Sequence, residues 1–279
     1  MLVFYRSADW CAYCKSQLIE MEDSKPELAR LGLGIAAISY DPVPVLKSFA
    51  DRKRIAFPLL SDEDSNIIRA FGILDEAVPK SNEFYGIPHP FTFIVDEKGV
   101  IKSRNSDEDF QRRFTVGNLI GRRADIKNVP AKRVTITQSV SDTLVHGGQR
   151  FKVRLEIQLP PKSHVYAPGV QGYIPIEWKL TPSPSFEEIP IRYPEPRDLF
   201  LKPIKETVPV YEGKLVLERE IIPAQKYAGE ELKIEGSLRY QVCDDQKCYV
   251  PETTPIAWTV KYEPHDRTRA PVEIRRKPR

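Results

Sequence analysis

The chain has 279 residues, of which 41% are hydrophobic and 29% are charged, and its formal net charge is +3. This composition excludes a wholly disordered chain, and the length indicates one large domain or two ordinary ones. No apolar run approaches the roughly 20 residues that a membrane-spanning helix needs, so we predict no membrane span in this chain.

The positive charge is concentrated at the C-terminus. Residues 264–279 carry six Lys and Arg side chains against two acidic ones, a local charge of +4, which leaves about −1 for the rest of the chain. No basic surface for nucleic acid is therefore predicted. We expect residues 264–279 to form a disordered basic tail.

The N-terminus begins inside a strand pattern. Met1 leads straight into the apolar, β-prone residues 2–6, with no signal-peptide pattern before them. We therefore expect a truncated N-terminus, and this sequence leaves open whether the protein is exported.

The first part of the chain alternates strand and helix patterns. Apolar, β-prone runs predict strands at residues 2–6, 35–40 and 57–60. Helical spacing of apolar residues predicts helices at residues 14–31 and 45–54, and a third from a cap at Ser61 or Asp62 to about residue 71. Further on, residues 91–103 predict a hairpin and residues 107–120 predict a closing helix. The pattern predicts an α/β layered domain over residues 1–121.

After residue 130 the hydrophobic period changes to two. Seven of the 25 prolines lie before this point, and the others follow it. Alternating runs between Pro- and Gly-rich turns predict strands at residues 133–137, 151–157, 214–218, 232–238 and 256–262. Such strands predict an all-β antiparallel sandwich over residues 132–263, with residues 122–131 as a linker.

Cys11 and Cys14 lie where the first predicted strand meets the first predicted helix. A thiolate at a helix N-terminus meets unpaired backbone N–H groups and the positive end of the helix dipole, which lowers its pKa. The two-residue spacer lets the sulfurs form a disulfide, so this C-x-x-C motif predicts a redox pair. Half of a zinc site and a pair of inert cysteines are alternatives, although no further Cys or His follows until His89.

Cys243 and Cys248 are separated by four polar residues and flanked by β-prone segments, which indicates a disulfide in a hairpin or loop. In the entropic model a bridge closing so short a loop contributes only about 2 kcal/mol of stability, which is a weak reason for its presence. A redox pair and a stabilising bridge both remain open. One zinc site made of all four cysteines would require the two domains to be clamped together.

Three stretches of the first domain carry a family resemblance, namely residues 4–14, 57–62 and 86–96. In these stretches the first 120 residues resemble the thioredoxin-like AhpC/TSA group of peroxiredoxin-related proteins. In that group a cis-proline opens the strand that faces the cysteines, and Pro90 stands at the matching position. The resemblance implies that Trp10, His89 and Pro90 position an incoming substrate, and that His89 tunes Cys11. The usual first strand and helix of the fold are missing, as expected for a truncated N-terminus.

Residues 164–166, 211–217 and 240–253 carry a second resemblance. Over residues 132–263 the chain resembles the N-terminal, immunoglobulin-like domain of the thiol:disulfide interchange protein DsbD. In that family the two cysteines shuttle electrons, the second one, here Cys248, engages the partner, and a cap loop shields the pair. The best match to the cap is residues 198–201, with Phe200 as the shielding ring. The resemblance also implies an extracytoplasmic, periplasmic location.

Together these features predict a thiol:disulfide oxidoreductase that relays electrons between the two cysteine pairs or to protein thiols and disulfides. Cys11 would attack as an exposed thiolate and Cys14 would resolve the mixed disulfide. The direction depends on the two reduction potentials, which the sequence does not give. We predict no cofactor, no metal and no nucleic-acid partner.

Two other functions compete with the relay. The first is a peroxiredoxin-like peroxidase with Cys11 as the peroxidatic cysteine, although Ala8 stands where that chemistry uses a Thr, three residues before the cysteine. The second is a non-catalytic β-sandwich interaction module that carries a degenerate redoxin. Peroxide consumption would identify the peroxidase, and failure to reduce insulin would favour the module.

Overall fold

The computed structural model describes residues 1–107, 109–122, 124–129, 131, 133–201, 206–244 and 247–276, with residues 124–129 described by their backbone. Within these residues the chain folds as two compact units. The first unit comprises residues 1–116, 146–149 and 264–276, and the second comprises residues 117–145 and 150–263.

The first unit is built on a mixed β-sheet. Its strands are β1 (Leu2–Phe4), β2 (Ala36–Ser39), β3 (Leu59–Ser61), β4 (Phe91–Val95) and β5 (Ile101–Asn105). They lie in the order β3-β2-β1-β4-β5, with β1, β2 and β3 mutually parallel and β4 antiparallel to both β1 and β5. Parallel neighbours need crossover connections, which helices supply here. This arrangement confirms the predicted thioredoxin-like α/β domain.

The helices of this unit are α1 (Ala12–Arg30), α2 (Val43–Lys53) and α3 (Asn66–Ala70). The predicted bounds of the first two agree with α1 and α2 to within two residues. The third helix is shorter than predicted, but the Asp62 carboxylate accepts hydrogen bonds from three of its backbone N–H groups, so Asp62 does cap it. Within the described residues, no helix combines the length and apolar character that crossing a bilayer requires.

Residues 107–120 do not form the predicted closing helix. Apart from residue 108, which lies outside the described residues, this stretch contains β6 (Arg113–Phe114) and α4 (Val116–Ile120). The backbone N–H of Arg113 donates to the carbonyl of Gly148 at 2.9 Å, so a long-range backbone bond holds the chain extended where the local pattern indicated a helix.

The second unit consists almost entirely of strands. They are β7 (Ala124–Val129), β8 (Thr135–Val140), β9 (Leu144–Val145), β10 (Gln149–Gln158), β11 (His164–Tyr166), β12 (Glu177–Leu180), β13 (Phe186–Glu188), β14 (Arg197–Leu201), β15 (Glu206–Glu212), β16 (Lys214–Pro223), β17 (Glu231–Tyr240) and β18 (Glu252–Tyr262). One sheet has the order β13-β16-β10-β8-β7, a second has the order β12-β17-β18-β9, and a third has the order β11-β15-β14.

The first two of these sheets share one hydrophobic core. Alternate residues of β10, from Phe151 to Ile157, are buried in the same cluster as Trp178 of β12 and Trp258 of β18. The two tryptophan rings lie 5.5 Å apart. The predicted period of two is therefore the inward-facing pattern of a sandwich, and the immunoglobulin-like fold class is confirmed.

Two boundaries differ from those predicted from the sequence. In the predicted linker, residues 124–129 form β7, which pairs with β8, while residues 123 and 130 lie outside the described residues. In the predicted disordered tail, residues 264–276 pack within the first unit and include a short 3₁₀ helix, Val272–Ile274, while residues 277–279 lie outside the described residues. The prediction of a disordered tail is therefore corrected for residues 264–276, because their backbone and side chains have partners in the fold.

Candidate functional site

Cys11 and Cys14 form a disulfide at the start of α1. Cys11 is the N-cap residue of this helix, and its Sγ accepts a hydrogen bond from the backbone N–H of Cys14 at 3.3 Å. The predicted position at a helix N-terminus is therefore observed. Cys11 is only 3% exposed and Cys14 is fully buried, which corrects the expectation that Cys11 is an exposed thiolate.

The loop that precedes Cys11 is held by a buried carboxylate. Asp41, just beyond β2, accepts hydrogen bonds from the Ser7 hydroxyl at 2.8 Å, the Ala8 N–H at 2.6 Å and the Ser39 hydroxyl at 3.0 Å. Burial raises the pKa of Asp41 to about 6, against these three hydrogen bonds, which favour the charged form. Asp41 therefore holds Ser7 and Ala8, four and three residues before Cys11.

The three predicted substrate-positioning residues lie in different surroundings. Trp10 donates from Nε1 to the Tyr40 hydroxyl at 3.0 Å and is partly buried. His89 is half-exposed, and its Nε2 lies 3.8 Å from the carboxylate oxygen Oδ1 of Asp75. Pro90 is buried directly before β4. The described residues contain no cis peptide bond, so the cis bond before Pro90 that the family resemblance implies is not found.

A buried arginine faces the disulfide. Arg113 Nη2 lies 4.0 Å from Cys14 Sγ, and Arg113 is only 5% exposed. Burial lowers the pKa of Arg113 to about 9, with a contribution from the nearby cation Arg6, so the guanidinium stays protonated at neutral pH. Arg6 itself lies over the rings of Phe110 and Trp10, at 4.0 Å and 5.3 Å. The surroundings of this disulfide are therefore electropositive.

The C-terminal segment 264–276, here named the strap, contacts residues on both sides of the two cysteines. The Asp9 carboxylate accepts hydrogen bonds from Arg269 Nη2 and from the backbone N–H of Ala270, each at 2.6 Å. The buried Lys15 donates to the carbonyls of Asp9 at 3.1 Å and Thr268 at 2.6 Å. The strap is thus bound by an ion pair and by hydrogen bonds at the ends of the C-x-x-C motif.

His265 anchors the first part of the strap. Its Nε2 lies 2.9 Å from the Gly147 carbonyl, which can only accept, so Nε2 carries the proton and Nδ1 accepts from the Ser16 hydroxyl at 2.6 Å. Its ring also packs edge-on against Tyr13. Burial lowers the pKa of His265 to about 4, so the ring is neutral near pH 7.

Cys243 and Cys248 form the second disulfide, and its two sulfurs differ in exposure. Cys243 is 1% exposed, because its backbone pairs with His164 of β11 through two hydrogen bonds of 2.9 Å. Cys248 is exposed. The Tyr166 hydroxyl lies 3.7 Å from Cys248 Sγ, and burial raises the pKa of this tyrosine. A partner sulfur can therefore reach Cys248 directly, whereas Cys243 is shielded.

Leucines of β14, not Phe200, pack against the hydrophobic cluster that contains Cys243. Cys243 belongs to a cluster with Tyr166, Val208 and Val210, and Leu199 and Leu201 pack against that cluster. Phe200 lies between these two leucines in the strand and is 56% exposed. Successive side chains of a strand point to opposite faces, so Leu199 and Leu201 face this cluster, whereas Phe200, the predicted shielding ring, faces away from it.

Several residues around the two disulfides were missed from the sequence. Arg113 lies 99 residues from Cys14 in the chain and has no motif, so no local signal could have found it. The strap was missed because its charge is typical of a solvated tail. Tyr166 lies in the stretch 164–166, which the sequence did single out, but all three residues of β11 are buried, so no alternation distinguished Tyr166. Within the described part of the chain, no three His, Cys, Asp or Glu side chains are grouped as a metal site.

The fold and the two disulfides define a thiol-based redox protein of two domains. Residues 1–104 match the model of the AhpC/TSA family, and residues 135–259 match the model of the N-terminal domain of the thiol:disulfide interchange protein DsbD. Both resemblances proposed from the sequence are thereby confirmed, each over its own part of the chain.

Curated relatives of the first domain are peroxiredoxins. The chain is 33% identical over 101 residues to a putative peroxiredoxin bcp of Haemophilus influenzae and 30% identical over 102 residues to peroxiredoxin Bcp of Escherichia coli K12. These matches cover 36% and 37% of this chain, and the chain spans 64% and 65% of the length of those relatives.

Two solved structures illustrate the similarity of the chain to known proteins. AhpC of Enterococcus faecalis is 30% identical with a TM-score of 0.34, covering 38% of this chain and 61% of that one. The N-terminal periplasmic domain of ScsB from Proteus mirabilis is 18% identical with a TM-score of 0.36, covering 50% of this chain and 51% of that one.

Proposed function

We propose that this chain is a thiol:disulfide oxidoreductase that relays electrons by exchange between the Cys11/Cys14 pair, the Cys243/Cys248 pair and protein partners. One observation carries the proposal: the Cys243–Cys248 disulfide joins an exposed cysteine, Cys248, to a buried one. The same chain also holds a disulfide at a helix N-terminus, Cys11–Cys14. A bridge serving only stability has no need of an exposed sulfur, whereas exchange requires one that an attacking thiolate can reach.

At the second pair, exchange begins at Cys248. A partner thiolate attacks Cys248 Sγ, forms a mixed disulfide and releases the two bonding electrons to Cys243 as a thiolate. The Cys243 thiolate is then protonated. A second thiol of the partner attacks the partner's own sulfur in the mixed disulfide and releases Cys248 as a thiol, so two electrons leave the partner, which becomes a disulfide, and the pair is reduced. In the reverse direction the Cys248 thiolate attacks a partner disulfide, and Cys243 then attacks Cys248 and expels the partner as a dithiol. The Tyr166 hydroxyl, 3.7 Å from Cys248 Sγ, is placed to donate a hydrogen bond to this sulfur.

At the first pair, Cys11 is the attacking sulfur and Cys14 resolves the mixed disulfide. The N-cap position supports this order, because the Cys14 N–H and the helix dipole stabilise the negative charge that develops on Cys11 when it attacks. Since both sulfurs are buried, a macromolecular partner gains access only when the surrounding chain opens.

The partners are protein thiols and disulfides, and the setting is extracytoplasmic. The match to the DsbD N-terminal domain supports both statements, since stable disulfides belong to oxidising compartments.

The test is the reduction potential of each pair, measured by mass-resolved alkylation across a glutathione and dithiothreitol series. Potentials within some tens of millivolts of each other are expected for a relay, because about 30 mV already corresponds to a bias of 1.4 kcal/mol. A reduction potential of Cys243/Cys248 far more negative than that of Cys11/Cys14 would show that the second bridge only stabilises the fold.

A peroxidase is the second candidate, and the similarity of residues 1–104 to peroxiredoxins favours it. Cys11 would then be the sulfur that peroxide oxidises. Ala8 provides no hydroxyl to hold the peroxide, and its backbone N–H is already donated to Asp41. Hydrogen peroxide consumption driven by dithiothreitol tests this directly, because an exchange protein should show almost none. Insulin reduction in parallel excludes a non-catalytic module if it succeeds.

A further inference from the structure

We infer that Arg113 is the residue that stabilises the thiolate of Cys14, so that reduction of the Cys11–Cys14 disulfide leaves the negative charge on Cys14. This deepens the proposed function and rests on the first pair being redox-active. The starting observation is geometric: a buried guanidinium nitrogen, Arg113 Nη2, lies 4.0 Å from Cys14 Sγ.

In the described part of the chain, no anion is in contact with Arg113. Nη1 donates to the carbonyl of Arg112 at 2.8 Å, and Nε is buried with no hydrogen-bond partner among those residues. Among the described residues, no carboxylate lies within ion-pairing distance of this guanidinium. A buried charge without a counter-charge is costly, so folds keep one where an opposite charge is present or develops.

Reduction supplies the missing anion. A dithiol reductant transfers two electrons to the Cys11–Cys14 bond and becomes a disulfide; Cys11 leaves as a thiol, Cys14 as a thiolate, and one proton is released to solvent. At 4.0 Å in a water-poor site, the guanidinium stabilises that thiolate much more than it would in water.

Other charged groups around Arg113 do not reverse this expectation. Arg6 adds a second positive charge, and Asp107 and Asp109 act on Arg113 only at longer range. Tyr13 and His265 also lie near Arg113, and the His265 ring is neutral near pH 7 because burial lowers its pKa to about 4. The charged group in contact with Cys14 Sγ is therefore the Arg113 guanidinium, at 4.0 Å.

The consequence for the pair is a shift in redox poise. Stabilising the reduced form raises the reduction potential, so Arg113 makes the first pair a better electron acceptor. The Cys11 thiol, which keeps the helix N-terminus, then loses its proton only when it attacks.

The test titrates Cys14 alone. In Cys11→Ser/Cys243→Ser/Cys248→Ser chains, the ultraviolet absorbance of the thiolate is followed against pH, which needs no reagent to enter the site. We expect a Cys14 pKa clearly below the ordinary value of about 8.5. Adding Arg113→Met should lower the acid dissociation constant of the Cys14 thiol at least tenfold, that is, raise its pKa. Arg113→Lys instead should keep the Cys14 pKa close to its value with Arg113. Arg112→Met, which removes the neighbouring arginine, is the matched control and should change nothing.

Two results would overturn the inference. One is an ordinary or raised Cys14 pKa in the chain that keeps Arg113, a measurement that does not depend on any Arg113 variant folding. The other is an unchanged pKa in a folded Arg113→Met chain. Neither result bears on whether the two pairs exchange electrons, so failure here is distinguishable from failure of the relay.

Discussion

The two sulfurs of the second disulfide differ in exposure, and this difference makes a prediction at the level of single residues. In the reduced Cys11→Ser/Cys14→Ser background, Cys243→Ser leaves the exposed Cys248, and Cys248→Ser leaves the buried Cys243. We expect the first chain to react with Ellman's reagent at least about tenfold faster, since thiol reactivity follows access as well as thiolate fraction. Equal rates would show that burial of Cys243 does not direct exchange to Cys248.

Asp41 predicts a pH dependence of stability. Its pKa is raised from 3.8 to about 6 in the folded chain, so the folded state binds more protons than the unfolded state between these values. The Asp41 contribution to the free energy of unfolding therefore falls as pH rises from about 4 to about 6, and it is constant above that. The expected fall is a few kcal/mol, since one pKa unit corresponds to about 1.4 kcal/mol.

The measurement compares urea unfolding of the native chain and Asp41→Asn from pH 4 to pH 7. The difference between the two chains should shrink with rising pH, because only the native chain bears the cost of ionising a buried carboxylate. Asp51→Asn, which changes an exposed carboxylate paired with Lys47, is the control. A difference that stays constant over this range would contradict the raised pKa.

At the scale of elements, the strap limits access to the first disulfide. Its residues contact Asp9, Tyr13, Lys15 and Ser16, which surround the two cysteines in the chain. We expect a chain ending at Glu263 to have its Cys11–Cys14 bond reduced by dithiothreitol at least about tenfold faster, the rate change given by ~1.4 kcal/mol of lost protection.

Three controls make the truncation specific. A chain ending at Arg276 keeps the described strap and should behave as the native chain. Arg269→Ala, which removes the shorter of the two ion pairs with Asp9 and leaves the one with Arg275, should fall between the two. The Cys243–Cys248 bond in the same molecule should be reduced at an unchanged rate. If the truncated chain reduces no faster, the burial of Cys11 and Cys14 does not depend on the strap.

The elements themselves were largely predictable, and the exceptions have physical reasons. Helices α1 and α2 and the strands of the sandwich follow local periodicity, which sequence carries directly. β6 does not follow local periodicity, because a long-range backbone hydrogen bond from Arg113 to Gly148 holds the chain extended there. The side of β14 that faces Cys243 depends on strand register, and a shift of one residue exchanges Phe200 for its leucine neighbours.

At the scale of the whole molecule, the two fold classes followed from the sequence but the division of the chain did not. The first unit includes residues 146–149 and 264–276, which are remote in sequence from its α/β core. Composition and periodicity are local properties of a sequence, so they do not indicate that a distant segment packs within an earlier domain. The cysteine pairs could be predicted because each is a local motif. Arg113, Asp41 and His265 could not, because they reach the site through contacts between residues far apart in the chain.

The relay is tested most directly by trapping it. In a Cys14→Ser/Cys243→Ser chain the sulfurs that remain are Cys11 and Cys248, the proposed attacking residue and the exposed one. Held in a glutathione redox series, this chain should form a Cys11–Cys248 disulfide, identified by peptide mass mapping. The matched Cys14→Ser/Cys248→Ser chain, which keeps the buried Cys243, should form far less of the corresponding bridge. Absence of the Cys11–Cys248 bridge at every redox poise would contradict direct exchange between the two pairs.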